Sequence, residues 1–494
     1  MTSVFLIDNA APPAADVIIL ATVSSGGSVA LADGAAGVDA ALGGGLLGAL
    51  RAVEATGGAD EVIKIPTFGQ GGTPLVVATG LGIAAPGTLE PEAVRRAVGA
   101  ALRGLNSAKR VAVVIGTGTD AELVGAISDG ALLGAYRFDR YKSSARTSAP
   151  GRVDIAVSDA AQPAARAALR RSKIISEAVN STRDLVNTPA NHLNPVTFAD
   201  YAREHGEAAG LAVEVLDERA LKRDNYGGIL AVGGGSHTPP RLVRLSYSPA
   251  RARASVALVG KGVTFDTGGL DLKHSMMAQM KYDMAGAAAV VESVIAAARL
   301  KLPIAVTATV PMAENAVSGS SYRPSDVLVM HDGRTVEVDN TDAEGRLILA
   351  DAILRACEDN PDYLIETATL TGGQVVALGP EMTGAMGSDD FRDRVVAAGT
   401  AAGESLWPMP LPSRLLKVLD SPVADIVNLP KERWASMLVA GTFLKQFVAD
   451  GVQWVHLDIA GPAMSDSASG YNAPGATGVI VRTILASLTE LATG

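Results

Sequence analysis

The sequence has little cysteine, no positive charge near its start and no long apolar run, and each shortage excludes a class of protein. Among 494 residues there is one cysteine, Cys357, so neither an internal disulfide nor a cluster of thiolate metal ligands can form. The first 50 residues contain no lysine or arginine, which removes the basic segment of a secretory signal peptide. The apolar run "VIILATV" (17–23) is too short to span a bilayer. We therefore expect a cytoplasmic protein with no membrane partner.

Positive charge is scarce overall, and this limits the partners. The chain has 42 lysines and arginines against 52 aspartates and glutamates, a formal net charge of −10. Such a charge repels polyanions and argues against nucleic acid as a partner. Hydrophobic residues make up 48% and charged residues 19%, which is typical of a globular protein with a large core. The length predicts more than one domain.

Short apolar runs alternate with amphipathic segments along the chain, which predicts an α/β fold. In the N-terminal third, buried strands are predicted at 16–23, 74–82 and 110–118, with a helix at 90–105. The alternation resumes after residue 240, and it predicts a mixed, largely parallel sheet. A polar stretch near residue 160 separates a smaller N-terminal α/β domain (1–160) from a larger C-terminal α/β domain (161–494). A long predicted helix at 161–187 connects them.

One stretch concentrates charge in a helix-forming context. "VEVDNTDAEGRLILADA" (336–352) contains Asp342, Glu344 and Arg346. Thr341 and Glu344 have the spacing of a capping box, the pattern that begins many helices. A capping box leaves Asp342 and Arg346 without a task. The stretch therefore supports two interpretations, a capped helix or a reactive site.

Further clusters follow predicted strands or precede predicted helices, where open α/β sheets bind ligands. "GKGVTFDTGGLDLK" (260–273) contains Lys261, Asp266 and Lys273, and "MKYDMAG" (280–286) contains Asp283. Each has a simpler interpretation, since a lone aspartate before an apolar run often caps a helix and lysines are usually solvated. Charges packed among glycines nevertheless favour pairing or metal binding, because an unpaired buried charge is costly.

A single site would use all of these charges. Three aspartates and one glutamate provide hard oxygen ligands that suit two divalent cations bridged by a carboxylate. The HExxH pattern of mononuclear zinc proteases is absent from the sequence. The clusters therefore predict a two-metal centre rather than a histidine-ligated zinc site.

With these clusters in this order, the sequence resembles the leucine aminopeptidase (cytosol aminopeptidase) family. The resemblance is carried by "NTDAEGRL", by "GKGVTFDTGG" with a downstream lysine, and by "MKYDMAG". It extends over most of residues 160–494 through "RDLVNTPAN", "ETATLTG" and "HLDIAGP". The N-terminal part resembles the family more loosely, through "GALLGAYRFDRYK" (130–142). The resemblance implies a macro-like N-terminal domain and a C-terminal catalytic metallopeptidase domain.

The resemblance also implies a role for individual residues. Two divalent metal ions, zinc or manganese, would be bound by Lys261, Asp266, Asp283, Asp342 and Glu344. Lys273 and Arg346 would be catalytic, and Arg346 would hold a bicarbonate ion. Contacts to the substrate are implied for Thr369, Leu370, Gly372 and Ala460.

The function implied is that of a leucyl aminopeptidase, a hydrolase that removes leucine-like N-terminal residues from peptides with a free N-terminus. The family also implies a homohexamer. Two alternatives stay open: a narrow-range dipeptidase of the same family, such as one for cysteinylglycine, and a hexameric scaffold with a vestigial site. A panel of dipeptides and amino-acid amides distinguishes the first, and the intact set of charged residues argues against the second.

Two departures from the family pattern are visible. The segment from Lys273 to Asp283 is one residue shorter than usual, and His274 replaces the proline that usually follows the lysine. The loop between them must therefore differ in shape. Ser325 stands in "YRPSDV" where glycine is more usual.

Overall fold

The computed structural model describes residues 2–9, 13–83, 89–106, 108–144, 148–432 and 434–493. The chain divides into two compact units. Unit 1 comprises Met1–Asn180 and Ser465–Gly475, and unit 2 comprises Ser181–Met464 and Ala476–Gly494. The division thus falls inside the long helix Pro163–Asn187, which overlaps the connecting helix predicted at 161–187. The domain boundary near residue 160 stays a prediction.

Unit 1 contains a mixed, largely parallel sheet. Its strands are β1 (Ser3–Asp8), β2 (Val17–Ser25), β3 (Ser28–Leu31), β4 (Val62–Pro66), β5 (Leu75–Ile83), β6 (Arg110–Val114) and β7 (Arg152–Val157). Its helices are α1 (Ala36–Ala41), α2 (Leu46–Ala52), α3 (Pro91–Arg103) and α4 (Ala121–Gly134), and α5 (Pro163–Asn187) begins in it. The strand order is β1-β7-β6-β2-β5-β4, and β3 pairs with β2. Among the described residues, β3 pairs antiparallel with β2 and β4 pairs antiparallel with β5, whereas the other neighbouring strands of this order are parallel.

Both faces of this sheet are covered, which explains why its strands are continuous apolar runs. Val77 and Val113 belong to the core shared with α3 and α4, whereas their neighbours Val76 and Val114 belong to the core shared with α1 and α2. Successive side chains of a strand point to opposite faces, so each run supplies both cores.

Unit 2 contains a second and larger mixed sheet. The sheet is formed by β8 (Ala212–Leu216), β9 (Arg241–Tyr247), β10 (Ser255–Gly260), β11 (Gly262–Asp266), β12 (Ala305–Asn315), β15 (Tyr363–Ala368), β16 (Thr383–Gly387), β17 (Leu406–Pro408) and β19 (Gln453–Asp458). Three shorter strands, β13 (Val327–Val329), β14 (Thr335–Glu337) and β18 (Ile426–Val427), form a separate small sheet. The short strands β20 (Met464–Ser465) and β21 (Gly475–Ala476) lie where the chain passes between the units.

The helices of unit 2 cover this sheet. They are α6 (Pro195–Ala208), α7 (Glu218–Arg223), α8 (Gly227–Gly233), α9 (Ala285–Arg299), α10 (Gly345–Cys357), α11 (Gly372–Leu378), α12 (Asp389–Ala401), α13 (Ser436–Lys445) and α14 (Val481–Thr493). Among the described residues, no helix has both the length and the apolar composition needed to cross a membrane.

The sheet order of unit 2 places the charged clusters at one edge. The order is β17-β16-β19-β15-β10-β12-β9-β8, with β11 paired to β12, and the central strands β19, β15, β10 and β12 are parallel. The carboxyl ends of parallel strands meet at one edge, which is where such sheets bind ligands. Lys261 follows β10, Asp266 ends β11, Thr369 follows β15 and Asp458 ends β19. The two-domain α/β architecture predicted from the sequence is confirmed.

Unit 1 includes one segment from late in the sequence, Ser465–Gly475. The hydroxyl of Tyr471 hydrogen-bonds the Glu92 carboxylate at 3.0 Å. The backbone nitrogen of Gly470 donates to Asp60 at 3.0 Å, and its carbonyl oxygen accepts from Arg103. We call Ser465–Gly475 the returning segment.

Candidate metal centre

The charged residues at the starts of α9 and α10 do not act as helix caps. Helix α10 begins at Gly345, and its N-cap, Glu344, makes no side-chain capping bond. The Thr341 hydroxyl instead donates to the carbonyl oxygen of Gly268 at 2.7 Å and accepts from the backbone of Asp271 at 2.9 Å. The capping-box interpretation is therefore wrong for this helix.

Asp283 is not a helix cap either. Helix α9 begins at Ala285, and its N-cap, Met284, makes no side-chain bond. The Asp283 carboxylate accepts from the Lys261 ammonium and from the Thr369 hydroxyl, both at 2.8 Å. Its second oxygen is buried and finds no hydrogen-bond partner among the described residues. Asp283 therefore faces the ends of β10 and β15 rather than its own helix.

The four carboxylates are arranged around two lysines. The Lys261 ammonium lies 2.8 Å from both Asp283 and Glu344. The Lys273 ammonium lies 2.7 Å from Asp266 and also contacts Asp342. Although its loop is one residue shorter than usual, Lys273 thus reaches the same cluster.

Steric crowding explains why the residue after Glu344, Gly345, has no side chain. A Cβ atom at Gly345 would lie 2.5 Å from Cε and 2.7 Å from Nζ of Lys261. Heavy atoms do not approach so closely, so any larger residue would displace this lysine from Glu344 and Asp283. Glycine directly after Glu344 is therefore what lets the lysine enter the cluster.

The two lysines do not fully compensate the negative charge of the four carboxylates. Burial, with the charges of Glu344 and Asp266, raises the pKa of Asp342 to about 7. Burial also raises the pKa of Asp266 and of Asp283, which the lysines oppose only in part. Burial acts to raise the pKa of Glu344 too, but Lys261 and Lys273 hold it below its ordinary value. Crowded carboxylates of this kind are stabilised by additional cations.

The donor set fits a divalent metal. One carboxylate oxygen from each of Asp266, Asp342 and Glu344 lies within 4.8 Å of the others, close enough to ligate one ion. The unpartnered oxygen of Asp283 offers another oxygen ligand nearby. Hard oxygen ligands suit Mn²⁺ and also bind Zn²⁺.

Arg346 adds a buried guanidinium beside the carboxylates. Its Nη1 donates to the carbonyl oxygen of Asn428 at 2.7 Å, and its Nε is buried without a hydrogen-bond partner among the described residues. Burial lowers the pKa of Arg346 to about 10, so the side chain stays charged at neutral pH. A buried, incompletely paired guanidinium is suited to bind an anion.

These groups line one cavity of about 1000 Å³ in unit 2. The predicted metal, catalytic and substrate residues all lie on its wall: Lys261, Asp266, Lys273, Asp283, Asp342, Glu344, Arg346, Thr369, Leu370, Gly372 and Ala460. Its wall also includes exposed apolar side chains, namely Leu270, Leu272, Met276, Val375 and Val376. The cavity therefore combines a charged cluster with apolar surface, as sites for small organic ligands do.

Two supporting residues were not predicted as site residues from the sequence. Asn315, at the end of β12, donates from its amide to Asp266 at 2.8 Å and to the carbonyl oxygen of Thr341 at 3.0 Å. Asp458 accepts from the Thr371 hydroxyl at 2.7 Å and from the backbone nitrogens of Leu370 and Ala460 at 3.2 Å. The only signal for either was its position at the end of a predicted strand.

Sequence comparison relates nearly the whole chain to one family of known proteins. The model of the catalytic domain of the cytosol aminopeptidase family matches residues 180–485, and the model of that family's N-terminal domain matches residues 23–145. A probable cytosol aminopeptidase of Rhodococcus jostii is 51% identical over 486 residues, covering 96% of this chain and 94% of that protein. One from Streptomyces coelicolor is 47% identical over 508 residues, covering 98% of each.

Solved structures of similar proteins share this fold over nearly the whole chain. A mutant of tomato leucine aminopeptidase superposes with a TM-score of 0.88 at 30% identity, covering 99% of this chain and 97% of that one. A bottromycin maturation enzyme in complex with Mn gives a TM-score of 0.85 at 36% identity, covering 97% of this chain and 100% of that one.

Proposed function

Since the chain belongs to the cytosol aminopeptidase family and is by that membership a metal-dependent aminopeptidase, we propose that it uses two metal ions to release leucine-like N-terminal residues from peptides. The observation that carries the proposal is the carboxylate cluster. Oxygens of Asp266, Asp342 and Glu344 lie within 4.8 Å of one another on the wall of the cavity.

The proposed metal ligands are the residues that the sequence predicts, Lys261, Asp266, Asp283, Asp342 and Glu344. When bound, two zinc or manganese ions would polarise the scissile carbonyl and lower the pKa of a water molecule to near neutrality. Lys261 would give up its proton to act as a ligand, because an amine coordinates only through its lone pair. Asp266 and Glu344 would serve both ions.

Lys273 is proposed to stabilise the transition state. Its burial acts to lower the pKa of the ammonium, but the carboxylates of Asp266, Glu344 and Asp342 raise it above the ordinary value. Lys273 is therefore protonated in the metal-free protein, and since it is not assigned as a metal ligand we assign it to donate to the oxyanion that develops on the scissile carbonyl.

Arg346 is proposed to bind a bicarbonate ion. In this assignment each carboxylate of the cluster is a metal ligand, so none of them is available as a general base. The buried guanidinium of Arg346, with its unpartnered Nε, supports anion binding at the cavity wall. A bicarbonate held there would supply the base that takes the proton of the attacking water.

The apolar wall supports the substrate preference. Leu270, Leu272, Met276, Val375 and Val376 line the cavity that also contains the proposed substrate contacts, Thr369, Leu370, Gly372 and Ala460. Burial of an apolar side chain against such a surface is favourable, so a leucine-like first residue should bind better than a charged one. We further propose that the protein acts in the cytoplasm as a homohexamer.

The test combines metal content with activity. The purified protein should contain up to two Zn²⁺ or Mn²⁺ per chain and hydrolyse Leu-p-nitroanilide, lose activity on chelation and regain it with added Mn²⁺. Glu344→Ala should bind less metal than Asp342→Ala and show no turnover, because Glu344 is assigned to both ions. Glu344→Ala that kept two ions and substantial activity would contradict the assignment.

A substrate panel separates the proposal from the dipeptidase alternative. Leucine, methionine, alanine and glutamate amides, together with cysteinylglycine, should be cleaved in an order that follows the apolar character of the first residue. Cleavage confined to cysteinylglycine would favour the narrow-range dipeptidase instead.

A further inference from the structure

We propose that Asn428 is a positioning residue that holds the ligand loop and Arg346 in one arrangement. The ligand loop is defined here as residues 339–344, which carry Asp342 and Glu344. The inference rests on the proposed function for the roles of these residues, but its evidence is a separate set of contacts. Asn428 lies more than 80 residues from the loop in sequence, directly after β18.

The fold delivers Asn428 to the loop through a short parallel pairing. Strand β18 (Ile426–Val427) pairs with β14 (Thr335–Glu337), and the backbone nitrogen of Asn428 continues the ladder by donating to the carbonyl oxygen of Glu337 at 2.9 Å. Asn428 is therefore fixed against β14, the strand that leads directly into the ligand loop. Asn428 is fully buried.

The Asn428 side chain hydrogen-bonds backbone groups of the loop in both directions. Its oxygen accepts from the nitrogens of Asp339 at 2.8 Å and Asn340 at 3.3 Å. Its amide donates to the carbonyl oxygens of Asn340 at 2.7 Å and Ala343 at 3.3 Å. Buried backbone groups need such partners, and between β14 and α10 no regular secondary structure supplies them.

The backbone of Asn428 holds the side chain of Arg346, the functional group that follows Asp342 and Glu344. Its carbonyl oxygen accepts from Nη1 of Arg346 at 2.7 Å. One residue thus fixes the loop that carries Asp342 and Glu344 and, through its own main chain, the guanidinium two residues beyond. A displacement of Asn428 would move both together.

The opposite side of the loop has its own anchors. The carbonyl oxygen of Thr341 accepts from the Asn315 amide at 3.0 Å and from the Tyr322 hydroxyl at 2.7 Å. Without the Asn428 side chain, the loop would remain attached on that side only. The protein should then fold, while the spacing of its ligands becomes less well defined.

The experiment measures metal affinity directly. Wild type and Asn428→Ala are stripped of metal and titrated with Mn²⁺ and with Zn²⁺ in competition with a chromophoric chelator. We expect Asn428→Ala to bind metal about 10–100-fold more weakly, the usual effect of losing a group that orients metal ligands. With metal at saturation, kcat should remain below that of the wild type because Arg346 is also displaced.

Two further variants make the test specific. Asn428→Asp keeps the size and the accepting oxygen but loses both donated bonds, so its metal affinity should fall between those of the wild type and Asn428→Ala. Asp351→Ala is the matched control, because Asp351 is also fully buried and accepts from backbone nitrogens, among them those of Ile229 and His331 at 3.0 Å. Asp351→Ala should lower thermal stability and leave metal affinity within about twofold of the wild-type value.

Wild-type metal affinity in either folded Asn428 variant would overturn the inference, as would an equal loss of affinity in Asp351→Ala. Should Asn428→Ala not fold, Asn428→Asp decides the outcome by the same criterion. A wild type that binds no metal would instead overturn the proposed function, so the two failures are distinguishable.

Discussion

At the scale of residues, two lysines in one cluster have different expected charge states. Lys261 is buried between Asp283 and Glu344, and Lys273 lies between Asp266 and Asp342. Burial opposes protonation of Lys261, but Asp283, Glu344 and Asp266 raise its pKa above the ordinary value. A dication beside it would reverse that balance, because like charges repel. Only Lys261 is assigned as a ligand, so only Lys261 should become neutral.

Substitution of each lysine tests this difference. Lys261→Arg should weaken metal binding, because a guanidinium stays charged and offers no lone pair. Lys273→Ala should keep both ions and lower kcat by roughly 10²–10³, the usual loss for one oxyanion donor. Metal content and kcat are measured on both proteins, and each is the control for the other. Near-normal turnover by Lys273→Ala would mean that another group stabilises the oxyanion.

A buried carboxyl outside the site predicts a pH dependence of stability. Burial raises the pKa of Glu292 from 4.5 to about 7, although the Tyr201 hydroxyl donates to it at 2.7 Å. The folded state therefore binds this proton more tightly than the unfolded state. The contribution of Glu292 to stability is greatest below about pH 4.5, falls as the pH rises and levels off above about pH 7.

Glu292→Gln removes this titration and keeps an acceptor for Tyr201. The variant should exceed the wild type in free energy of unfolding at pH 8, by up to about 3 kcal/mol, and the difference should shrink towards pH 5. Urea unfolding of both proteins at the two pH values measures it. A difference that does not change with pH would contradict the assignment of the titration to Glu292.

Sequence reasoning predicted the charged groups of the cluster but not what holds them. Asp342 and Arg346 stand out because a capping box of Thr341 and Glu344 leaves both of them without a task. The capping-box interpretation failed because Thr341 bonds the loop around Gly268, a contact between segments distant in sequence. Asn428 has no local pattern at all, since an asparagine between two short segments resembles any turn residue.

At the scale of elements, Asp458 joins the ends of two neighbouring strands. It ends β19, and its carboxylate accepts from residues that follow β15, the backbone nitrogen of Leu370 and the hydroxyl of Thr371. It also accepts from the backbone nitrogen of Ala460. Leu370 and Ala460 are proposed to contact the substrate, so Asp458 holds both parts of that wall together.

Asp458→Ala should therefore impair substrate binding more than metal binding. Loss of a buried acceptor costs about 1–3 kcal/mol, so we expect KM for Leu-p-nitroanilide to rise roughly tenfold with metal content unchanged. Asp458→Asn keeps one accepting oxygen and should show a smaller rise. A fall in metal content without a change in KM would contradict this role.

The sequence predicted most elements of the sheet but not their breaks. "SVALVGKGVTF" reads as one strand, whereas the structure has β10 (Ser255–Gly260) and β11 (Gly262–Asp266) with Lys261 between them. β10 pairs with β12 at Ala305–Thr309, and β11 pairs with the same strand further along, from Met312. The pairing along β12 keeps the same register on both sides of Lys261 and shifts only between Val263 and Phe265, so the strand is interrupted at the lysine that enters the cluster without slipping along its neighbour.

At the scale of the whole molecule, the proposed hexamer is open to a direct test. A peptidase that accepts many N-termini would spare folded proteins if its sites faced an enclosed space. Trp407 and Trp434 of unit 2 are each 56% exposed, and tryptophan is enriched at protein interfaces. Light scattering should give six times the mass of one chain. A monomer that retains full activity would contradict the proposal.

The returning segment has a consequence for any attempt to divide or exchange the parts of this protein. Tyr471 and Gly470 have their partners, Glu92, Asp60 and Arg103, in the first third of the chain. A single cut near residue 160 or 180 would leave the returning segment on the C-terminal fragment and its hydrogen-bond partners on the N-terminal fragment. A chimera that takes its first 180 residues from a relative must therefore also take that relative's counterpart of Ser465–Gly475. Unit 1 is inherited as two separate stretches of sequence that have to match.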